Sequence, residues 1–208
     1  RVDQSTFIGG FLRASLSQFK NPQTQVTGWI GRPDIPPIEH FKVGYTTGIQ
    51  YFNTMYNKTV QNNGFFSTGF NDTLQGAKLA DSLISLGADV IFPFAGKTGN
   101  GALYKIKEKG KYGIGVDIDQ YVSIPDVSNI LLTSCLKKLD NTVYNVIDFF
   151  NTDAFGSQQI FYGTLATVSV EIAPFHDYDA QIPDSIKNAI NTIRTGIKNG
   201  TIPTGWNP

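Results

Sequence analysis

Short apolar runs alternate along this chain with longer stretches in which apolar residues return every three or four positions. Phe7, Phe11, Leu12, Leu16 and Phe19 recur at helical spacing, and Asn21-Pro22 stops that helix. Gln25 to Gly31 predicts a short strand. Ile38, Phe41, Tyr45, Ile49 and Phe52 mark one face of the next helix, on which Gly44 and Gly48 permit close backbone packing. Asn53 to Gly64 reads as a polar surface loop, and Phe65 to Phe70 as the following strand. Asn71 or Asp72 caps the helix after it, with Leu79, Leu83 and Leu86 as its buried stripe and Gly87 as its C-terminal cap.

Val90 to Phe94 reads as a buried strand that runs into the glycine cluster Gly96, Gly99 and Gly101. A helix begins near Ala102 and ends at Gly110. Tyr112 to Val116 and Ile130 to Ser134 predict two further strands. Leu136, Leu139, Val143, Val146 and Phe150 give a helix, and Gln159 to Val170 reads as extended. The last helix has the clearest stripe, Ile186, Ile190, Ile193 and Ile197, between Pro183 and Gly200. Strands alternating with helices argue for an α/β fold, a parallel sheet with helices on both faces.

Composition narrows the function classes. The 208 residues are 40% hydrophobic and 16% charged, as in globular proteins. Lysine plus arginine equals aspartate plus glutamate at 17 each, which offers no electrostatic case for nucleic acid or an anionic membrane. No apolar run is long enough to span a bilayer. The single cysteine, Cys135, excludes an intrachain disulfide framework and sits in an apolar stretch, as a small core residue would. Arg1 is not an initiator methionine, and Phe7 to Phe19 already reads as the middle of a fold, so an N-terminal part is expected to be missing.

Three predicted strand ends carry residues suited to a small molecule: GFND at 69–72, the glycine cluster, and Asp117 with Asp119. In a parallel sheet these ends share one edge, where such folds bind ligands. Phe70 offers a flat apolar face for stacking, or a core position. Asp117 offers two acceptor oxygens that match the paired hydroxyls of a sugar, or serves as a turn residue or cap. Lys137 or Lys138 supplies a cation, or a solvated helix charge. Trp29 suits either the site or the core. Gly96-Lys97-Thr98 looks like the end of a Walker A loop, but Ile91 stands where that motif needs its first glycine, and the order GxxGxG is not the dinucleotide fingerprint GxGxxG. His40 and His176 have no ligand spacing around them, so no metal or other cofactor is expected. No GxSxG occurs. The carboxylate pairs Asp117/Asp119 and Asp177/Asp179 lack a proton-transfer partner, so no catalytic residue is assigned.

Together the motifs GWIG at 28–31, GFND at 69–72, GADVIF at 87–92, AGKTGNG at 95–101 and GVDIDQ at 115–120 resemble the basic membrane protein family, the purine nucleoside receptor lipoproteins of bacterial ABC importers. That resemblance implies a periplasmic-binding-protein fold of the first type, parallel sheets flanked by helices, with two lobes closing on a ligand. It implies a base-stacking role for Phe70 and ribose contacts for Gly96, Asp117 and Lys137. It divides the chain into 1–22, the last helix of a first lobe; 23–134, the second lobe; 135–158, a return segment; and 159–208, a strand and helix completing the lobes. The implied partners are a purine nucleoside and a membrane permease, with no nucleic acid. The implied location is the outer face of the bacterial cytoplasmic membrane, through a lipid anchor absent from this chain. Two other readings stand beside it: a nucleoside- or sugar-processing enzyme on a doubly wound sheet, and a surface antigen that has lost its ligand.

Overall fold

The computed structural model describes residues 1–19, 25–32, 35–151 and 160–206. Asn21, Pro22, Pro33 and Gln159 lie outside the described residues, as does the side chain of Phe19. The elements follow one another as α1 (Val2–Phe19), β1 (Val26–Gly31), α2 (Pro36–Tyr56), β2 (Gln61–Phe66), α3 (Thr73–Ser85), β3 (Val90–Pro93), α4 (Gly96–Glu108), β4 (Tyr112–Asp117), α5 (Gln120–Ser123), β5 (Leu131–Lys137), α6 (Leu139–Phe150), β6 (Val170–Ile172) and α7 (Asp184–Lys198). The strands form one sheet in the order β2-β1-β3-β4-β5-β6. The first five are parallel, and β6 pairs antiparallel with β5.

Alternation along each central strand sends side chains to two separate cores. Val90 and Phe92 face the core shared with α1, α2 and α7, whereas Ile91 faces the core shared with α3 and α4. Both faces of the central strands are therefore covered, and β3 reads as a continuous apolar run because neither of its faces meets water. The glycines of α2 explain how α1 fits: a Cβ on Gly44 would fall on the carbonyl of Asp3, and one on Gly48 on the carbonyl of Phe7. Phe7, Ile8, Phe11 and Leu12 of α1 are fully buried between α2 and the sheet. Helix α1, assigned by resemblance to a first lobe, thus shares one core with the sheet assigned to the second.

Six expectations need correction. The stretch 53–64 is not a loop: α2 continues to Tyr56 and β2 starts at Gln61. β2 is an edge strand, half-covered along its length, so Gln61, Asn62 and Asn63 can stay polar within it. Phe70 consequently lies in the loop after β2 rather than in a strand. Helix α4 starts at Gly96, not near Ala102. Its glycines serve contact: Gly101 lies against the backbone of Thr73, so α3 and α4 approach more closely than a side chain would allow. Leu86 is 54% exposed and leaves the α3 stripe to Leu79 and Leu83, while Leu136 belongs to β5. Of the extended stretch expected up to Val170, residues 160–169 form no strand; β6 begins at Val170.

Candidate functional site

Strand order reverses at β1, whose neighbours are β2 on one side and β3 on the other. In doubly wound sheets the loops diverge at such a point and leave a crevice outside the strands' carboxyl ends. A cavity of about 400 Å³ occupies that place, lined by residues that include Phe41, Phe70, Phe94, Gly96, Asp117 and Lys137. The four residues singled out by the sequence therefore face one hollow.

The loop carrying Phe70 is fastened to the start of α4. Thr98, wholly buried, donates its hydroxyl to the carbonyl of Gly69 at 2.9 Å and accepts the amide of Asp72 at 3.0 Å; its own amide donates to the carbonyl of Phe70 at 3.0 Å. Asp72 caps α3, accepting the Gln75 amide at 2.8 Å. Gly96 turns the chain with φ +57°, and an added Cβ would lie 3.2 Å from the carbonyl oxygen of Phe70. Phe70 is half-buried, and the guanidinium of Arg32 lies 5.2 Å from its ring centre.

The end of β4 is held from the other side. Gln120 accepts the amide of Val116 through Oε1 at 2.9 Å, and its own amide donates to Ser134 Oγ at 3.1 Å. Between these ties Asp117 adopts φ +68°, in the left-handed region. Its Oδ1 lies 2.9 Å from Lys137 Nζ at the end of β5. Such partly exposed pairs contribute only about 0–1 kcal/mol, and a non-glycine residue in that region costs on the order of 1–3 kcal/mol. The pair therefore does not repay the strain as stability.

Other candidates go elsewhere. Asp119 caps α5 and meets His176 Nε2 at 2.8 Å, away from the cavity lining. Lys138 begins α6 and is not part of the lining. Trp29 is 7% exposed and packs in the core against Phe94 and Phe66. Cys135 is buried beneath α1, and burial pushes its thiol well above the ordinary range, as an inert core residue. Sequence reasoning missed Phe41, Phe94, Lys97 and Thr98. Phe41 read as a helix stripe and Phe94 as the end of a buried strand because each is core on one side and cavity wall on the other.

The mostly parallel sheet with helices on both faces is a doubly wound α/β fold of the periplasmic-binding-protein-like kind seen in ABC solute-binding proteins. An ABC transporter solute-binding protein of Aeropyrum pernix K1 shares this fold with a TM-score of 0.82 over 98% of this chain and 64% of that one, at 20% identity. The pattern of the family described as ABC transporter substrate-binding protein PnrA-like matches residues 1–204, and the chain belongs to that family. Basic membrane protein A2 of Borrelia garinii subsp. bavariensis is 27% identical over 212 residues, covering 100% of this chain and 58% of the relative. A CD4+ T-cell-stimulating antigen of Listeria monocytogenes is 32% identical over 155 residues, covering 68% of this chain and 42% of the relative. The chain thus spans little more than half the length of the curated relatives it matches.

Proposed function

We propose that this chain forms one wall of the ligand cleft of a bacterial ABC importer's substrate-binding protein, and that its ligand is a purine nucleoside or a related ribose-bearing molecule. The observation that carries this is the Asp117–Lys137 pair at 2.9 Å, set beside Phe70 and Gly96 in one cavity. An ionised Asp117 accepts from vicinal hydroxyls, Lys137 donates to their oxygens, and Phe70 stacks a base. The strained backbone of Asp117 supports the same reading, because strain of this kind clusters where a ligand is held. No step in this role makes or breaks a covalent bond. Closure of two lobes on the ligand shifts the protein to the form that docks on a permease.

Within that reading the exposed apolar face of α6 meets a further lobe. Leu139, Val143 and Ile147 are each more than half exposed, and the relatives are longer than the stretch matched here. Among the described residues no helix is long and apolar enough to cross a membrane. The proposed role sets the protein at the outer face of the cytoplasmic membrane, held by a lipid anchor as the family resemblance implies.

Calorimetry with inosine and guanosine, on the protein at the length of its relatives, tests the assignment. Asp117→Ala should weaken binding at least about tenfold, since a charged hydrogen bond is worth roughly 1.5–3 kcal/mol. Unchanged affinity removes Asp117 from the site. Turnover of either nucleoside by the same preparation would favour an enzyme instead.

A further inference from the structure

Lys137 reaches the cavity from the end of β5 on a flexible stem. A free lysine loses about 2 kcal/mol of rotamer freedom when a ligand fixes it. Its acidic partner among the described residues, Asp117, has a side chain 52% exposed and so is a weak tether. A second tether comes from across the cavity. Lys137 Nζ lies 4.7 Å from the ring centre of Phe41 on α2. A cation over an aromatic face at that separation is attracted by the negative charge of the ring's face.

The Phe41 ring is itself packed in place. It is 2% exposed, and it stacks on Phe94 with centres 5.6 Å apart and planes 10° from parallel. Phe94 stacks in turn on Trp29 at 5.8 Å. A column of three rings thus runs from the buried face of β1 to the ammonium at the cavity wall.

We propose that Phe41 is a positioning residue: its fixed ring holds the Lys137 ammonium in the cavity before any ligand arrives. This rests on the site reading above, in which Lys137 donates to the ligand. Ordering is then met on folding rather than on binding, and preorganised groups bind more tightly for that reason. Asp117 sets the direction of the ammonium and Phe41 sets its depth.

The test has a ligand-free arm and a binding arm. In the ligand-free protein the ε-methylene protons of Lys137 should resonate upfield of ordinary lysines, shielded by the ring. The shift should persist in Phe41→Tyr, which keeps the ring, and vanish in Phe41→Leu. An ordinary position in the wild-type protein overturns the proposal. In the second arm, inosine titrated into the protein at its relatives' length should bind roughly three- to tenfold more weakly to Phe41→Leu, the size expected of one partly exposed cation–π contact. That loss should disappear when the same change is made in a Lys137→Met background, and Phe41→Tyr should bind as wild type. An equal loss in both backgrounds overturns the proposal, because Phe41 would then act by touching the ligand or by packing alone. If the wild-type protein binds no nucleoside, the site reading fails, and the proton shift by itself decides whether Phe41 holds the ammonium.

Discussion

Helices α6 and α7 carry the same kind of pattern and meet opposite fates. In α7 the stripe Ile186, Ile190, Ile193 and Ile197 is buried, none of them more than 5% exposed. In α6 Leu139, Val143 and Ile147 stand between 56% and 66% exposed, and no residue of the helix is fully buried. An amphipathic repeat says that a face is built to be covered; it does not say what covers it. In α7 the cover is the sheet core shared with α1 and α2. In α6 the face formed by Leu139, Val143 and Ile147 is instead open among the described residues.

The contrast can be broken by mutation. The largest effect is expected at Ile190→Ala, where the lost burial and the remaining cavity should destabilise the fold by about 2–5 kcal/mol. Urea unfolding measures it, and a loss below about 1 kcal/mol would mean that α7 is not packed as described. Gly48→Ala comes next. Its Cβ would collide with the carbonyl of Phe7, so α1 and α2 must separate, at a cost of roughly 1–3 kcal/mol in the same measurement. The smallest effect belongs to Ile147→Ser on α6, expected within about 0.5 kcal/mol in this chain. The same change in a protein of the relatives' length should destabilise more, because a further lobe would then bury the residue. Equal, small effects at both lengths would leave the α6 face uncovered in either.

Much of the fold was legible in the residues. The stripes of α2 and α7, the buried run of β3, the cap at Asp72 and the close helix contact at Gly44 and Gly48 all follow from local spacing and side-chain size. The misread elements share a cause. Polar residues in β2 hid an edge strand, and glycines in α4 hid a helix start, because tertiary contact there overrides local propensity. At the candidate site, Asp117 and Gly96 were marked by motif, whereas Phe41 was absorbed into a core stripe. Only the position of Lys137 above its ring reveals that second use.

The sequence by itself determined an alternating α/β chain, the helix faces that need burial, and the polar residues collected at strand ends. Tertiary structure alone decided that strand order reverses at β1, that Asp117 takes a left-handed backbone beside Lys137, and that among the described residues the stripe of α7 is covered while Leu139, Val143 and Ile147 of α6 stay exposed. The physical reason is range. Propensity, capping and periodicity act over a few residues, but a cavity is made by segments far apart in the chain, and only their packing sets the distances between them.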